Sequence, residues 1–148
     1  MEGRCQCGQI RFTTPTPKPD AIYICHCTEC RHQSSSTYGV TAVFPSFELK
    51  DSEPYPGAIA IYSRPNPHGW TEGHFCAKCG SRLIHRPISH QGQPAKVVSV
   101  KGGCLEGLTR EMMRSAVHIW TKSAVIDIPS GVEQYEEEPP DGSFNEEG

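Results

Sequence analysis

Apolar residues in this chain fall in short runs that alternate with polar ones, separated by proline, glycine and serine. A period of two predicts strands over residues 10–13, 21–25, 37–44, 47–49, 59–63, 81–86, 96–101 and 117–121. KVVSVK at 96–101 is the strongest of them, and TYGVTAVF at 37–44 is rich in β-branched residues. Helical spacing is weak. It supports one short helix over 108–114, capped at Thr109 or its neighbour with Glu111 in the first turn, and a polar turn at 33–36 that could open another. Pro15, Pro17 and Pro19 remove backbone donors and make 14–20 a loop, and the stretch 64–69 reads as a second turn-rich loop. The fold class is therefore mainly β, a single domain of short antiparallel strands.

Length agrees with that, since 148 residues can bury one core. No apolar run approaches the roughly eighteen residues needed to span a bilayer. The start, MEGRCQCGQIRF, is polar and lacks the apolar centre of a signal peptide, so the expected compartment is the reducing cytoplasm. The net charge of −3 is unevenly spread. Residues 133–148 hold seven acids and no lysine or arginine, which leaves +4 on residues 1–132. That surplus is too small and dispersed to argue for a nucleic-acid partner, and no membrane partner is expected. The expected division is a domain over 1–135 and an acidic, disordered tail over 136–148.

The chemistry lies in the eight cysteines. Four disulfides are one reading, but C-x-C and C-x-x-C spacings in a reducing compartment point to metal sites. Cys5 and Cys7, each part of a C-x-C step ending at Gly8, complement Cys76 and Cys79, a C-x-x-C step ending at Gly80. Together they make a closed four-thiolate zinc site with a structural role. Cys25, Cys27 and Cys30 remain as a three-thiolate site that leaves one position open for water or substrate. If the strand at 21–25 continues, alternation puts Cys25 and Cys27 on one face. Cys104 is either a fourth, closing ligand or a small buried hydrophobe.

Neighbouring residues carry weaker expectations. Glu29 and His32 are near enough to the second site to carry protons. Arg31 suits a substrate carboxylate, or alternatively a surface ion pair. His26 falls between two ligands but on the opposite strand face, so packing or hydrogen bonding fits it better than catalysis. His74, His85 and His118 read as packed strand residues, while His68 and His90 sit in loops without a signal.

Three motifs carry a family resemblance: G-x-C-x-C-G at 3–8, C-H-C-x-x-C-R at 25–31 and F-C-x-x-C-G-S at 75–81. With Ser36-Thr37-Tyr38, the VKGG strand end at 100–103, His118-Ile119-Trp120 and the late Ile128-Pro129-Ser130-Gly131, the chain resembles the glutathione-dependent formaldehyde-activating family. That family includes the centromere protein V group. The resemblance implies a β-tent zinc fold, shared with Rab-releasing chaperones, and two zinc ions. One is structural, on Cys5, Cys7, Cys76 and Cys79; the other is catalytic, on Cys25, Cys27 and Cys30. The implied activity is that of a carbon–sulfur lyase forming or cleaving thiol–aldehyde adducts of the S-hydroxymethylglutathione type, with glutathione or another small thiol and an aldehyde as partners. Ser35 stands where the family often has glycine, and Ala124-Val125-Ile126-Asp127 replaces an aromatic. Two other readings are a zinc-scaffolded binding module without catalysis and an enzyme of this fold that tailors another reactive small molecule.

Overall fold

The computed structural model describes residues 1–50 and 55–140. Strands β1 (Glu2–Arg4) and β2 (Arg11–Thr13) form a small antiparallel ladder. The other strands are β3 (Ala21–Cys25), β4 (Gly39–Pro45), β5 (Ile59–Asn66), β6 (Gly69–Cys76), β7 (Arg82–Ser89), β8 (Val97–Lys101) and β9 (Val117–Ile119). They make one seven-stranded sheet in the order β5-β6-β7-β8-β4-β3-β9. Its ladders are antiparallel except that between β3 and β9. Two short α-helices, α1 (Thr28–Ser34) and α2 (Arg110–Arg114), and two 3-10 turns, Gly102–Cys104 and Thr121–Ser123, complete the described residues; α2 is capped by the Thr109 hydroxyl as expected.

Alternation along the central strands gives the sheet two different faces. Ile22 of β3, Ala42 and Phe44 of β4, Ile84 of β7 and Val98 and Val100 of β8 share one core with Ile10 and Leu105. The intervening residues turn the other way. Tyr23, Cys25 and Val43 pack with Ile119 in a second, smaller cluster. On that face the register sets Cys25 beside Gly39, Thr41 beside Lys101 and His85 beside Ser99. Burying the aliphatic set on one side thus leaves thiol, hydroxyl, imidazole and ammonium groups together on the other.

Several expected elements differ. The run at 47–49 forms no strand, although Phe47 and Leu49 still pack against the core. The loop expected at 64–69 is instead the end of β5, a tight turn and the start of β6. Proline at 65 is tolerated because β5 is an edge strand, paired only with β6. The expected strand-face pairing of Cys25 and Cys27 also fails, because β3 stops at Cys25 and Cys27 is the N-cap of α1.

Residues 133–137 add a strand-like segment next to β9. The His118 amide donates to the Glu133 carbonyl and the Tyr135 amide to the His118 carbonyl, and the amides of Thr121, Lys122 and Trp120 reach the carbonyls of Tyr135, Glu136 and Glu137. The boundary expected at 135 therefore falls within a hydrogen-bonded segment. The far part of the expected tail, 141–148, lies outside the described residues. No helix among the described residues is long and apolar enough to cross a membrane.

Candidate metal centres and cavity

Two groups of thiols gather in space, and none of the eight cysteines is in a disulfide. The first joins Cys5 and Cys7, just past β1, to Cys76 and Cys79 at the end of β6. Each pair sits in a tight turn closed by a backbone bond, from Gly8 to Cys5 at 3.1 Å and from Gly80 to Cys76 at 2.8 Å. Both glycines have positive φ, 77° and 78°, a conformation that costs a side-chain-bearing residue strain. Amides point at the sulfurs: Ile10 N–H lies 3.3 Å from Cys5 Sγ and Cys79 N–H 3.5 Å from Cys76 Sγ. Cys5 and Cys7 sulfurs are 3.6 Å apart, and those of Cys7 and Cys76 are 3.8 Å apart. A zinc tetrahedron with bonds of about 2.3 Å has sulfur–sulfur edges of about 3.8 Å, so this donor set fits the ion.

The second group is Cys25, Cys27 and Cys30, with sulfurs all within 4.8 Å of one another. Convergence comes from a strand end running into a helix start. The Cys27 sulfur accepts the Cys30 amide at 3.3 Å in place of the usual oxygen cap, and so turns back over Cys30. Hydrogen bonds from Cys25 and Cys30 hold the Cys27 thiol well below its usual range, while Cys27, Cys30 and burial push Cys25 well up. A metal cation in the middle would favour the thiolate form of all three, and an all-sulfur donor set suits zinc.

Cys104 joins neither group. Its Sγ donates to the Arg82 carbonyl at 3.2 Å, and burial pushes the thiol up to about 11. The second group therefore has three thiols, and among the described residues no fourth cysteine closes it.

Those three thiols line a cavity of about 640 Å³, within the usual range of about 300–1,000 Å³ for small-molecule sites. Thr41, His85 and Ser99 from the polar face of the sheet line it, as do Arg64 and Thr71 on the neighbouring strands. Trp120, with φ of 57°, forms another part of the wall, and Glu137 and Glu138 come from the segment that follows β9. Arg82 Nη1 lies 3.1 Å from His85 Nε2; the guanidinium can only donate, so the imidazole proton sits on Nδ1. Burial, then the charges of Lys101, Arg82, Arg64 and His74, hold His85 well below its ordinary pKa and keep it neutral.

Of the neighbours singled out in the sequence, Glu29 lines the cavity, 3.6 Å from Arg64 Nε. Arg31 and His32, on the same helix, do not, and His32 is exposed. His26 is fully buried and its Nε2 meets His118 Nδ1 at 3.0 Å, so it packs and hydrogen-bonds as expected. Arg64, His85, Ser99 and Lys101 were not identified as site residues from sequence. For the last two, the local signal was their shared phase in KVVSVK, where serine and lysine alternate with core valines, and Lys101 also lies in the VKGG strand end.

The sequence profile of a family described as glutathione-dependent formaldehyde-activating enzyme matches residues 1–123. A Halomonas elongata protein provisionally named as such an enzyme is 28% identical over 89 residues, covering 56% of this chain and 54% of that protein. The chain thus aligns with about half the length of that relative. A crystal structure of a Rhodobacter sphaeroides protein superposes with a TM-score of 0.55 at 18% identity, over 80% of this chain and 99% of that one, a likeness of fold.

Proposed function

The chain belongs to the glutathione-dependent formaldehyde-activating enzyme family, and on that premise we propose that it is a zinc-dependent carbon–sulfur lyase. It joins a small thiol such as glutathione to an aldehyde such as formaldehyde, and cleaves the adduct in the reverse direction. The observation that carries this reading is the three-thiol group lining a cavity of about 640 Å³, with no fourth cysteine joining it among the described residues. Cys25, Cys27 and Cys30 would hold the catalytic zinc, and Cys5, Cys7, Cys76 and Cys79 the structural one. When bound at the open site, the cation supplies a positive centre that stabilises a thiolate at neutral pH.

The remaining work falls to the chain. Glu29, at the cavity wall, is placed to take the proton that the incoming thiol gives up. Arg64 beside it offers the planar fork that a substrate carboxylate needs, the role for which sequence had suggested Arg31. As the carbon–sulfur bond forms, the aldehyde oxygen gains charge. The hydroxyls of Thr41 and Ser99 and the N–H of neutral His85 are the wall groups that can hold it. Returning the proton to that oxygen completes the hemithioacetal; removing it again starts the cleavage. The cytoplasm, where thiols stay reduced, is the compartment that fits.

Exchange spectroscopy tests this. The zinc-loaded protein should speed interconversion of formaldehyde, glutathione and their adduct beyond the buffer rate, and Cys30→Ser should abolish the gain. No acceleration with glutathione or any of a panel of small thiols and aldehydes would count against the lyase and for a binding module.

A further inference from the structure

The last residue of β8 brings a charge to this site. Lys101 is 7% exposed, and it is the one buried lysine among the described residues. Its Nζ donates to Thr41 Oγ1 at 3.4 Å. No carboxylate among the described residues pairs with it. A buried ammonium without a counter-charge is costly, so an anion is expected next to it.

The groups that meet this need are sulfurs. Lys101 stands opposite Thr41 across the β4–β8 ladder, and Gly39, two residues before Thr41, stands opposite Cys25. A Cβ added at Gly39 would lie 3.6 Å from Lys101 Nζ and 3.6 Å from Cys30 Sγ. Gly39 does not have positive φ, so no unusual backbone requires glycine there. A side chain there would crowd both Lys101 Nζ and Cys30, whose Cβ lies 3.2 Å from the same point, so the ammonium and the thiol border one small space.

We propose that Lys101 is the built-in counter-cation of the three-thiol site. Three thiolates around a divalent metal carry a surplus of one negative charge, and Lys101 brings the sum to zero. A fourth, anionic sulfur ligand can then approach a neutral centre rather than a negative one. Lys101 is thus a positioning residue that acts on ligand entry through charge, and it rests on the reading of Cys25, Cys27 and Cys30 as a metal site.

Lys101→Met removes the charge at similar volume, and Lys101→Arg keeps it. Metal content by native mass spectrometry and the titration of 2-mercaptoethanol into cobalt-substituted protein, followed by its sulfur-to-metal absorption, are the readouts. Lys101→Met should keep its far-ultraviolet spectrum and the metal of the four-thiol site. Its dissociation constant for the added thiol should rise on the order of tenfold or more, and Lys101→Arg should restore much of that loss. Two metals in wild type with thiol affinity unchanged in Lys101→Met would overturn the proposal alone. One metal in wild type would overturn the metal reading and this proposal together. If Lys101→Met fails to fold, the lysine Nζ resonances of wild type decide. Replacing zinc by paramagnetic cobalt should displace the signal of one protected lysine, and an unmoved set of signals would sink the proposal.

Discussion

Ser35 ends α1 with φ of 53° and ψ of 34°, in the left-handed region, and its amide bonds back to the His32 carbonyl at 3.3 Å. The next amide, of Ser36, reaches the Arg31 carbonyl, so the turn is a helix stop of the kind glycine favours. A side chain there costs about 1 kcal/mol or more, while glycine gives up part of the gain to the unfolded chain's extra freedom. Ser35→Gly should therefore raise stability, by up to about 1 kcal/mol. Urea unfolding should show a higher midpoint at constant slope, and a lower midpoint would show that the serine side chain has a role the fold does not reveal. Trp120 has the same backbone strain, at φ of 57°, but lines the cavity, and its ring lies 5.1 Å from Lys122 Nζ.

At the scale of elements, the segment after β9 tests where the domain stops. Tyr135, Glu136 and Glu137 supply carbonyls to the turn at Trp120–Lys122, and Lys122 Nζ pairs with the Glu137 carboxylate. Ending the chain after Tyr135 removes two of those backbone bonds, each worth about 1 kcal/mol. Ending it after Glu138 leaves them in place. The shorter protein should melt several degrees lower and the longer one as wild type does; equal melting would mean the strand-like segment adds nothing. Sequence put the boundary at 135 because acidic side chains advertise solvent, whereas main-chain bonding does not depend on them. β6 was hidden for a related reason. Its Gly-Trp-Thr-Glu-Gly-His run looks like loop, yet a Cβ at Gly73 would lie 2.0 Å from Arg82 Nη1, so one glycine makes room for a side chain crossing the strand. The strand at 21–25 and the cysteine groups were legible because thiol spacing is a local signal. The cavity wall was not: Arg64, His85 and Ser99 meet only through the register of the four strands β5 to β8, which no local pattern fixes.

For the molecule as a whole, the two thiol groups have different mechanical duties. The four-thiol set is the tie between the small β1–β2 ladder with its following turn and the end of β6, since its two pairs are some seventy residues apart. A metal there adds its binding energy to folding, and losing one ligand removes most of it. The three-thiol set draws on one stretch of six residues at the end of β3 and the start of α1. It closes no long loop, so its loss should disturb only α1 and the cavity. Protein purified without chelator should hold close to two equivalents of zinc. Cys76→Ser should unfold or lose much of its melting transition, whereas Cys30→Ser should keep the fold and one zinc. Cys104→Ser should keep both, because that thiol serves the Arg82 carbonyl and the core. Metal analysis and melting curves on the same three variants decide the matter. A Cys30→Ser protein that unfolds like Cys76→Ser would make the second site structural too, and release of one zinc by Cys104→Ser would give it a fourth ligand and close it to substrate.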